Sequence, residues 1–148
     1  MATIFFDTSA LVRRYDRSEP GGAQVRRVCS PSAGHTLLVA RLASLEVASA
    51  LNRKVRLGQL TREDVARLWR VFRGHWRSQY RQLAVAEPVL VQAEQLLFHH
   101  PLRTIDALQL ACAMAASTIL STGVQFWTAD QHQARAASAE ALAVTLVA

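Results

Sequence analysis

The sequence predicts an α/β protein built on a parallel β-sheet, and two observations lead to this class. Short apolar runs bounded by polar residues recur along the chain, as is typical of buried strands. Longer stretches with apolar residues at helical spacing separate these runs. Strands that alternate with helices form parallel sheets through right-handed crossovers. The 148 residues fit one domain, 1–148, which is long enough to bury its own core.

The first predicted strand, residues 4–6, ends at Asp7. The polar residues Thr8 and Ser9 follow, and they are typical of a helix start, so we predict a helix over 9–16. A Pro-Gly-Gly sequence then interrupts the pattern before a second short helix that ends at Val28. Asp7 therefore lies at the carboxyl end of a strand, where open α/β sheets bind their ligands.

The second predicted strand, residues 36–40, follows a loop that contains Pro31 and Gly34. We expect Ser44 to cap the next helix, which runs over 45–57 and ends at a glycine. Glu46 lies in the first turn of this helix.

A long amphipathic helix is predicted from Thr61 to about residue 81. Aromatic and aliphatic side chains share one arc of this helix. The adjoining arc is basic and carries Arg67, Arg70, Arg73, Arg77 and Arg81. These arginines repel one another, a cost that phosphates or an acidic partner would relieve, although a solvated surface explains them as well.

The rest of the chain alternates in the same way. The predicted helix 107–120 is apolar almost all round, so we expect it to be central and buried, with Asp106 at its open end. His99 and His100 end the helix before it, and we predict a structural role for them because no third metal ligand has matching spacing. The other predicted elements are a strand at 83–86, a helix at 88–98, a strand at 125–128, a helix to about 138 and a strand at 143–147.

Composition narrows the partners and the compartment. The formal net charge is +6, and all the basic residues except Lys54 are arginine, which favours a polyanionic or acidic partner. Cys29 and Cys112 form no metal-binding pair, and as buried thiols they fit a reducing cytosol. No apolar stretch is long enough to span a membrane and no export signal is evident, so we expect a cytoplasmic protein with no membrane association.

Four acidic residues share one predicted setting. Asp7 and Asp130 follow strands, and Glu46 and Asp106 lie in the first turns of helices that begin near strand ends. Each would gain about 0.3 to 1 kcal/mol as a helix cap, which is the structural explanation. In a parallel sheet, however, all four lie at one edge, where two charges about 5 Å apart repel by roughly 3 kcal/mol. Oxygen ligands alone favour Mg²⁺ or Mn²⁺, and such an ion at an acidic edge indicates phosphodiester hydrolysis.

Four segments together resemble the PIN-domain ribonucleases, and most of all the VapC toxins of toxin–antitoxin pairs. They are F-F-D-T-S-A-L at 5–11, S-L-E at 44–46, L-R-T-I-D-A-L-Q-L-A at 102–111 and W-T-A-D at 127–130. The resemblance covers essentially the whole chain. It implies a three-layer α/β/α fold with helices on both faces of a five-stranded parallel sheet in the order 3-2-1-4-5.

The resemblance also implies the roles of the site residues. Asp7, Asp106 and Asp130 would bind Mg²⁺ or Mn²⁺, Glu46 would complete the site or position the attacking water, and the hydroxyls of Thr128 and Ser9 would orient the acids. The family pattern further implies an RNA substrate, a homodimer and inhibition by a cognate VapB-like antitoxin. The candidates to contact RNA or the antitoxin are Arg14, Arg103, Arg70, Arg73 and Arg77.

Three alternatives remain open. The first alternative is a PIN-fold RNA-processing nuclease outside a toxin–antitoxin system. The second is a non-catalytic module that binds RNA or a protein and in which the acids serve as helix caps. The third alternative is a phosphotransfer protein. A haloacid-dehalogenase-like phosphatase, however, would have an acidic residue at the position of Ser9. A receiver domain would have a lysine after a late strand, whereas Lys54 lies in the predicted helix 45–57.

Overall fold

The computed structural model describes all 148 residues. The strands are β1 (Thr3–Phe6), β2 (Thr36–Ala40), β3 (Tyr80–Leu83), β4 (Gln125–Thr128) and β5 (Ala143–Leu146). The helices are α1 (Thr8–Val12), α2 (Gly22–Val28), α3 (Ala43–Arg56), α4 (Arg62–Ser78), α5 (Glu87–His99), α6 (Thr104–Ile119) and α7 (Gln131–Ala139). A 3₁₀ turn at Pro31–Ala33 precedes β2.

All five strands are parallel and lie in the order β3-β2-β1-β4-β5. Two apolar clusters cover the two faces of the sheet. One packs Phe6, Leu11, Leu51 and Phe72 with α1 to α4, and the other packs Phe5, Leu110 and Phe126 with α5 to α7. The structure therefore confirms the predicted three-layer fold and its strand order.

The first strand explains why both faces need a helical layer. Its side chains alternate between the clusters, so that Phe5 stacks on Phe126 below one face while Phe6 packs edge-on against Trp127 on the other. Strands buried on both faces read as continuous apolar runs rather than alternating ones. The run at residues 4–6 is such a sequence.

The third strand was predicted in the wrong place. Residues 83–86 were expected to form it, but Tyr80–Leu83 pairs with Leu37–Ala40 of β2. The predicted helix from Thr61 to residue 81 correspondingly ends at Ser78, which puts Arg81 on the edge strand and not on the helical arc. Arg81 and Gln82 are exposed, so this edge strand lacks the apolar run from which buried strands are predicted.

Two helix boundaries also differ from the prediction. The first helix is shorter than the expected 9–16, because α1 ends at Val12 and a turn leads to Asp16. Ser44 does not cap α3, whose N-cap position is Leu42 and which begins at Ala43. The long helix α4 does begin as predicted, with Thr61 and Asp64 forming a capping box.

Candidate active site at the carboxyl edge of the sheet

Asp7 is the most buried acidic residue at this edge. Only 2% of it is exposed, directly after β1 and at the N-cap of α1. Its Oδ1 accepts hydrogen bonds from Ser9 Oγ at 2.7 Å and from the Ala10 backbone at 3.0 Å, and its Oδ2 accepts one from Thr128 Oγ1. Burial raises the pKa of Asp7 to about 6, these hydrogen bonds oppose the rise, and the charge of Asp106 adds to it.

Asp106 and Glu46 lie in the first turns of α6 and α3, where the sequence placed them. Burial raises the pKa of Glu46, the charge of Asp106 raises it further, and Arg103 lowers it. Asp106 therefore interacts electrostatically with both Asp7 and Glu46. Its one ion pair, at 3.3 Å, is with Arg103, whose side chain is 82% exposed. Such exposed pairs contribute about 0 to 1 kcal/mol, so the acidic charge is poorly compensated.

Asp130 follows β4 and caps α7. Its Oδ1 accepts from the backbone of His132 at 2.8 Å and of Gln133 at 3.3 Å. Its own backbone N–H donates to Thr128 Oγ1 at 3.1 Å. Asp7 and Asp130 thus both cap helices, which is what we expect if the acids serve only as helix caps. Thr128, which is fully buried, hydrogen-bonds to both residues.

Ser9 and Thr128 connect the ends of the two central strands. Their hydroxyls lie 3.2 Å apart, and Ser9 Oγ also accepts from the backbone of Ala129 at 2.8 Å. Both hydroxyls donate to the Asp7 carboxylate. The two residues therefore fix the orientation of this carboxylate relative to β4.

Two buried glutamines that the sequence analysis did not single out hold the acidic helices in place. Gln109 accepts from the backbone N–H of Thr8 at 2.9 Å and donates to the hydroxyl of Thr8 at 2.7 Å. Gln133 donates to the backbone carbonyl of Asp106 at 2.8 Å. Gln109 could have been noticed in the sequence, because it is a polar residue in a largely apolar helix, one turn after Asp106.

The acidic edge fits a hard divalent cation in the chemistry of its donors. The side chains placed at this edge bear carboxylate and hydroxyl oxygens, and Arg103 alone forms an ion pair with one of the acids. No group of three or more His, Cys, Asp or Glu side chains lies close enough together to hold a metal ion. The structure thus brings Asp7, Asp106 and Glu46 into electrostatic interaction without forming a closed coordination shell.

The predicted basic contacts have different surroundings. Arg103, Arg70 and Arg77 are exposed and Arg73 is half-buried, and the last three form no ion pair. Arg14 instead donates to the hydroxyl of Tyr80 at 2.6 Å, inside a cluster of aromatic side chains.

The two histidines at the end of α5 make contacts of their own. His100 contacts Glu140 at 2.8 Å and His99 contacts the carbonyl of Gln95 at 2.7 Å, which fits the structural role that we predicted. Both cysteines are buried and free, and burial raises the pKa of each thiol to about 11. No helix has the length and apolar character needed to cross a membrane.

The fold and this edge define the class: a three-layer α/β/α protein with acidic residues at the carboxyl ends of β1 and β4 and in the first turns of α3 and α6. Residues 4–139 match the family model of the PIN domain, so the chain belongs to the PIN domain family. A search of curated protein sequences finds no match.

Two solved structures share the fold along nearly the whole chain. VapBC2 from Rickettsia felis, bound to a DNA fragment from its promoter, aligns with a TM-score of 0.66 and 10% identity, over 97% of this chain and 98% of that one. FitAcB from Neisseria gonorrhoeae aligns with a TM-score of 0.58 and 15% identity, over 95% of each chain. At these identities the likeness is one of fold.

Proposed function

We propose that this protein is a metal-dependent endoribonuclease of the PIN domain family and the toxin of a VapBC-type toxin–antitoxin pair. The observation that carries the proposal is the buried carboxylate of Asp7, which interacts with Asp106 and has no cation of its own. Membership of the PIN domain family and the likeness to VapBC2 and FitAcB support it.

In this proposal Asp7, Asp106 and Asp130 hold one or two Mg²⁺ or Mn²⁺ ions. The ion, when bound, supplies charge stabilisation for the phosphoryl group and lowers the pKa of a water molecule. Glu46 completes the acidic set or orients the attacking water. Ser9 and Thr128 donate to Asp7 and so keep its carboxylate in one orientation.

Charge and the structures of similar fold support the proposed partners. RNA is the proposed substrate, and the exposed Arg103 and the arginines of α4 are proposed to contact its backbone or the antitoxin. VapBC2 and FitAcB support a VapB-like antitoxin as the partner. We also propose a homodimer in the cytoplasm, and the exposed apolar side chains of α5, of which Phe98 is 92% exposed, support a protein interface.

A non-catalytic module that binds RNA or a protein is the second candidate. The helix caps formed by Asp7 and Asp130, together with the absence of a closed metal cluster, favour it. A PIN-fold RNA-processing nuclease outside a toxin–antitoxin system would use the same acids, and only its targets and partners would differ.

The testing experiment is RNA cleavage by the purified protein with and without divalent metal. Cleavage should require Mg²⁺ or Mn²⁺, stop in EDTA and be lost in Asp106→Asn. The matched control is Glu63→Gln, which neutralises an exposed acid in the first turn of α4 and should cleave normally. Cleavage that copurifies with the protein and continues at full rate in EDTA would contradict the metal assignment. Metal-independent binding of RNA without cleavage would support the binding module.

The toxin assignment has its own test. Expression of the wild-type chain should arrest bacterial growth, and Asp106→Asn should not. Co-expression of a small DNA-binding protein encoded just upstream should restore growth. Cleavage of RNA in vitro without growth arrest would instead support the RNA-processing alternative.

A further inference from the structure

A second charged site lies at the opposite end of the sheet from the acidic edge. It is a cavity of about 340 Å³ between α2, α4 and the segment that follows α1. Cys29 and Ser30, which precede β2, line it, and it adjoins Tyr80, the first residue of β3. These positions belong to the amino ends of the strands. The cavity is therefore separate from Asp7 and Asp106.

The cavity is basic and no acidic residue lines it. Arg14, Arg17 and Arg26 contribute to its wall together with His75. None of these arginines forms an ion pair. Three positive charges thus converge on one cavity without compensation.

The nearby acids cannot supply that compensation because they are already paired. Asp16 and Glu19 lie in the same segment as Arg14, but Asp16 binds Lys54, and Glu19 pairs with Lys54 at 2.5 Å and with Arg13 at 3.8 Å, so two cations offset the two acids. Asp16 accepts two further hydrogen bonds from Ser18. The positive charge of the cavity is consequently a fixed feature of the fold.

Hydrogen bonds hold Arg14 and His75 rigidly at this cavity. The guanidinium of Arg14 lies 2.6 Å from the Tyr80 hydroxyl and 3.3 Å from Nε2 of His75. Because a guanidinium only donates, Nε2 must accept, which makes His75 neutral with its proton on Nδ1. That proton faces the Tyr15 hydroxyl at 2.9 Å. The guanidinium also lies over the Tyr15 and Tyr80 rings, at 5.7 and 5.6 Å.

The second arginine is held as well. Arg26 donates to the backbone carbonyl of Arg14 at 3.4 Å, which keeps its guanidinium beside the cavity. Arg17 is exposed and forms no hydrogen bond or ion pair through its side chain. Leu68 and Val71 of α4 form an apolar part of the wall.

We propose that this cavity binds a phosphate group. Planar guanidinium groups match the oxygens of phosphate in pairs, and a dianion would remove the repulsion between the three arginines. The volume lies in the range of small-molecule sites, and the apolar wall suits a nucleoside attached to the phosphate. The group comes either from a free nucleotide or from an RNA strand. Arg14, a candidate RNA contact in the sequence analysis, belongs to this cavity, but none of the acidic residues does. Failure of metal-dependent cleavage would therefore leave the inference intact.

Titration calorimetry with inorganic phosphate, in EDTA and against chloride at the same ionic strength, tests the proposal. Phosphate should bind with one-to-one stoichiometry. Losing one charge-assisted hydrogen bond should weaken binding by about tenfold or more in Arg17→Gln and in Arg26→Gln. Arg27→Gln is the matched control, because Arg27 is the next residue of α2, is exposed and does not line the cavity. Arg17→Gln removes no hydrogen bond or ion pair, so its fold should be intact.

The source of the phosphate group is distinguished by two further ligands. A nucleoside 5′-monophosphate that binds more tightly than phosphate identifies a nucleotide site, whereas an RNA oligomer without a terminal phosphate that displaces phosphate identifies a strand-binding site. The proposal is overturned if Arg27→Gln weakens phosphate binding as much as Arg17→Gln does. Failure of phosphate to bind the wild-type protein, with or without binding of an acidic peptide, also overturns it.

Discussion

Neutralising the buried carboxylate with Asp7→Asn should stabilise the metal-free protein at neutral pH. The substitution keeps the helix cap, because asparagine caps helices about as well as aspartate and its oxygen can still accept from the Ala10 backbone. It removes the buried charge. It also replaces the carboxylate oxygen that accepts from Thr128 with an amide nitrogen, which can only donate to the Thr128 hydroxyl. We expect the cost of this exchange to stay below about 1 kcal/mol.

The expected gain follows from the pKa of Asp7. Burial raises this pKa from 3.8 to about 6 in the folded protein. A difference of about two units, at about 1.4 kcal/mol per unit, corresponds to roughly 3 kcal/mol. Because the folded pKa is the higher one, the carboxyl favours folding below pH 3.8, and this contribution is lost as the pH rises through about 6. Because asparagine does not ionise, Asp7→Asn should not lose this stability as the pH rises.

Thermal or denaturant unfolding in EDTA, at pH 4 and at pH 7.5, measures the effect. The variant should match the wild type at pH 4 within about 1 kcal/mol. At pH 7.5 it should be more stable by about 2 to 3 kcal/mol, or roughly 5 to 10 °C in Tm for a chain of this size. Wild type should also gain about 2.7 kcal/mol from Mn²⁺ at a hundredfold excess over its Kd, and the variant should lose most of this gain.

Asp64→Asn is the matched control, because Asp64 is also a capping acid but lies outside the site. Hydrogen bonds from Thr61 lower the pKa of Asp64, so its neutralisation should destabilise the protein at neutral pH. The reasoning is refuted if Asp7→Asn is destabilised equally at both pH values and still responds to Mn²⁺ as the wild type does. Asp7 would then act only as a cap.

Three other perturbations test separate parts of the structure. Gln109→Leu leaves the backbone N–H of Thr8 without its partner, so the free energy of unfolding in denaturant should fall by about 1 to 3 kcal/mol. RNA cleavage should also fall, and an unchanged cleavage rate would refute a positioning role for Gln109. Lys54→Met leaves Asp16 buried without a cation and should lower the free energy of unfolding by about 3 kcal/mol, whereas an unchanged denaturation midpoint would contradict this. Neutralising the α4 arginines should lower the log–log salt slope of RNA binding by about 0.7 per lost phosphate contact, and an unchanged slope together with unchanged antitoxin affinity would assign them to solvated surface. The substitutions for this last test are Arg70→Gln, Arg73→Gln and Arg77→Gln in one protein.

Local patterns were enough to predict where the candidate acids lie. Asp7 and Asp130 stand where an apolar run stops, and the start of a helix places Asp106 in a first turn. A parallel sheet then brings such positions to one edge without further information. Predicted and observed positions agree because each depends on the residues immediately around it.

The features that the sequence did not reveal depend on contacts between distant residues. The strand β3 is defined by its pairing with β2, because Arg81 and Gln82 are polar and exposed and show no pattern of their own. Gln109 and Thr8 are 101 positions apart, and the bonds between them exist only once α1 and α6 have packed. The pairing of Asp16 with Lys54 is another long-range contact, and local spacing does not indicate it.

The same chain shows how it compensates an acid whose role is structural. Asp16 exposes as little surface as Asp7 but lies less deep, so burial penalises its charge less. It also binds Lys54, and its pKa is lowered because that bond and those from Ser18 outweigh the effect of burial. Asp7 receives only hydroxyl and amide hydrogen bonds, and its pKa stays raised. If Asp7 were merely structural, a cation from the chain, or an asparagine, would remove its cost of roughly 3 kcal/mol at neutral pH. An uncompensated aspartate beside a second acid therefore supports the cation site that we propose.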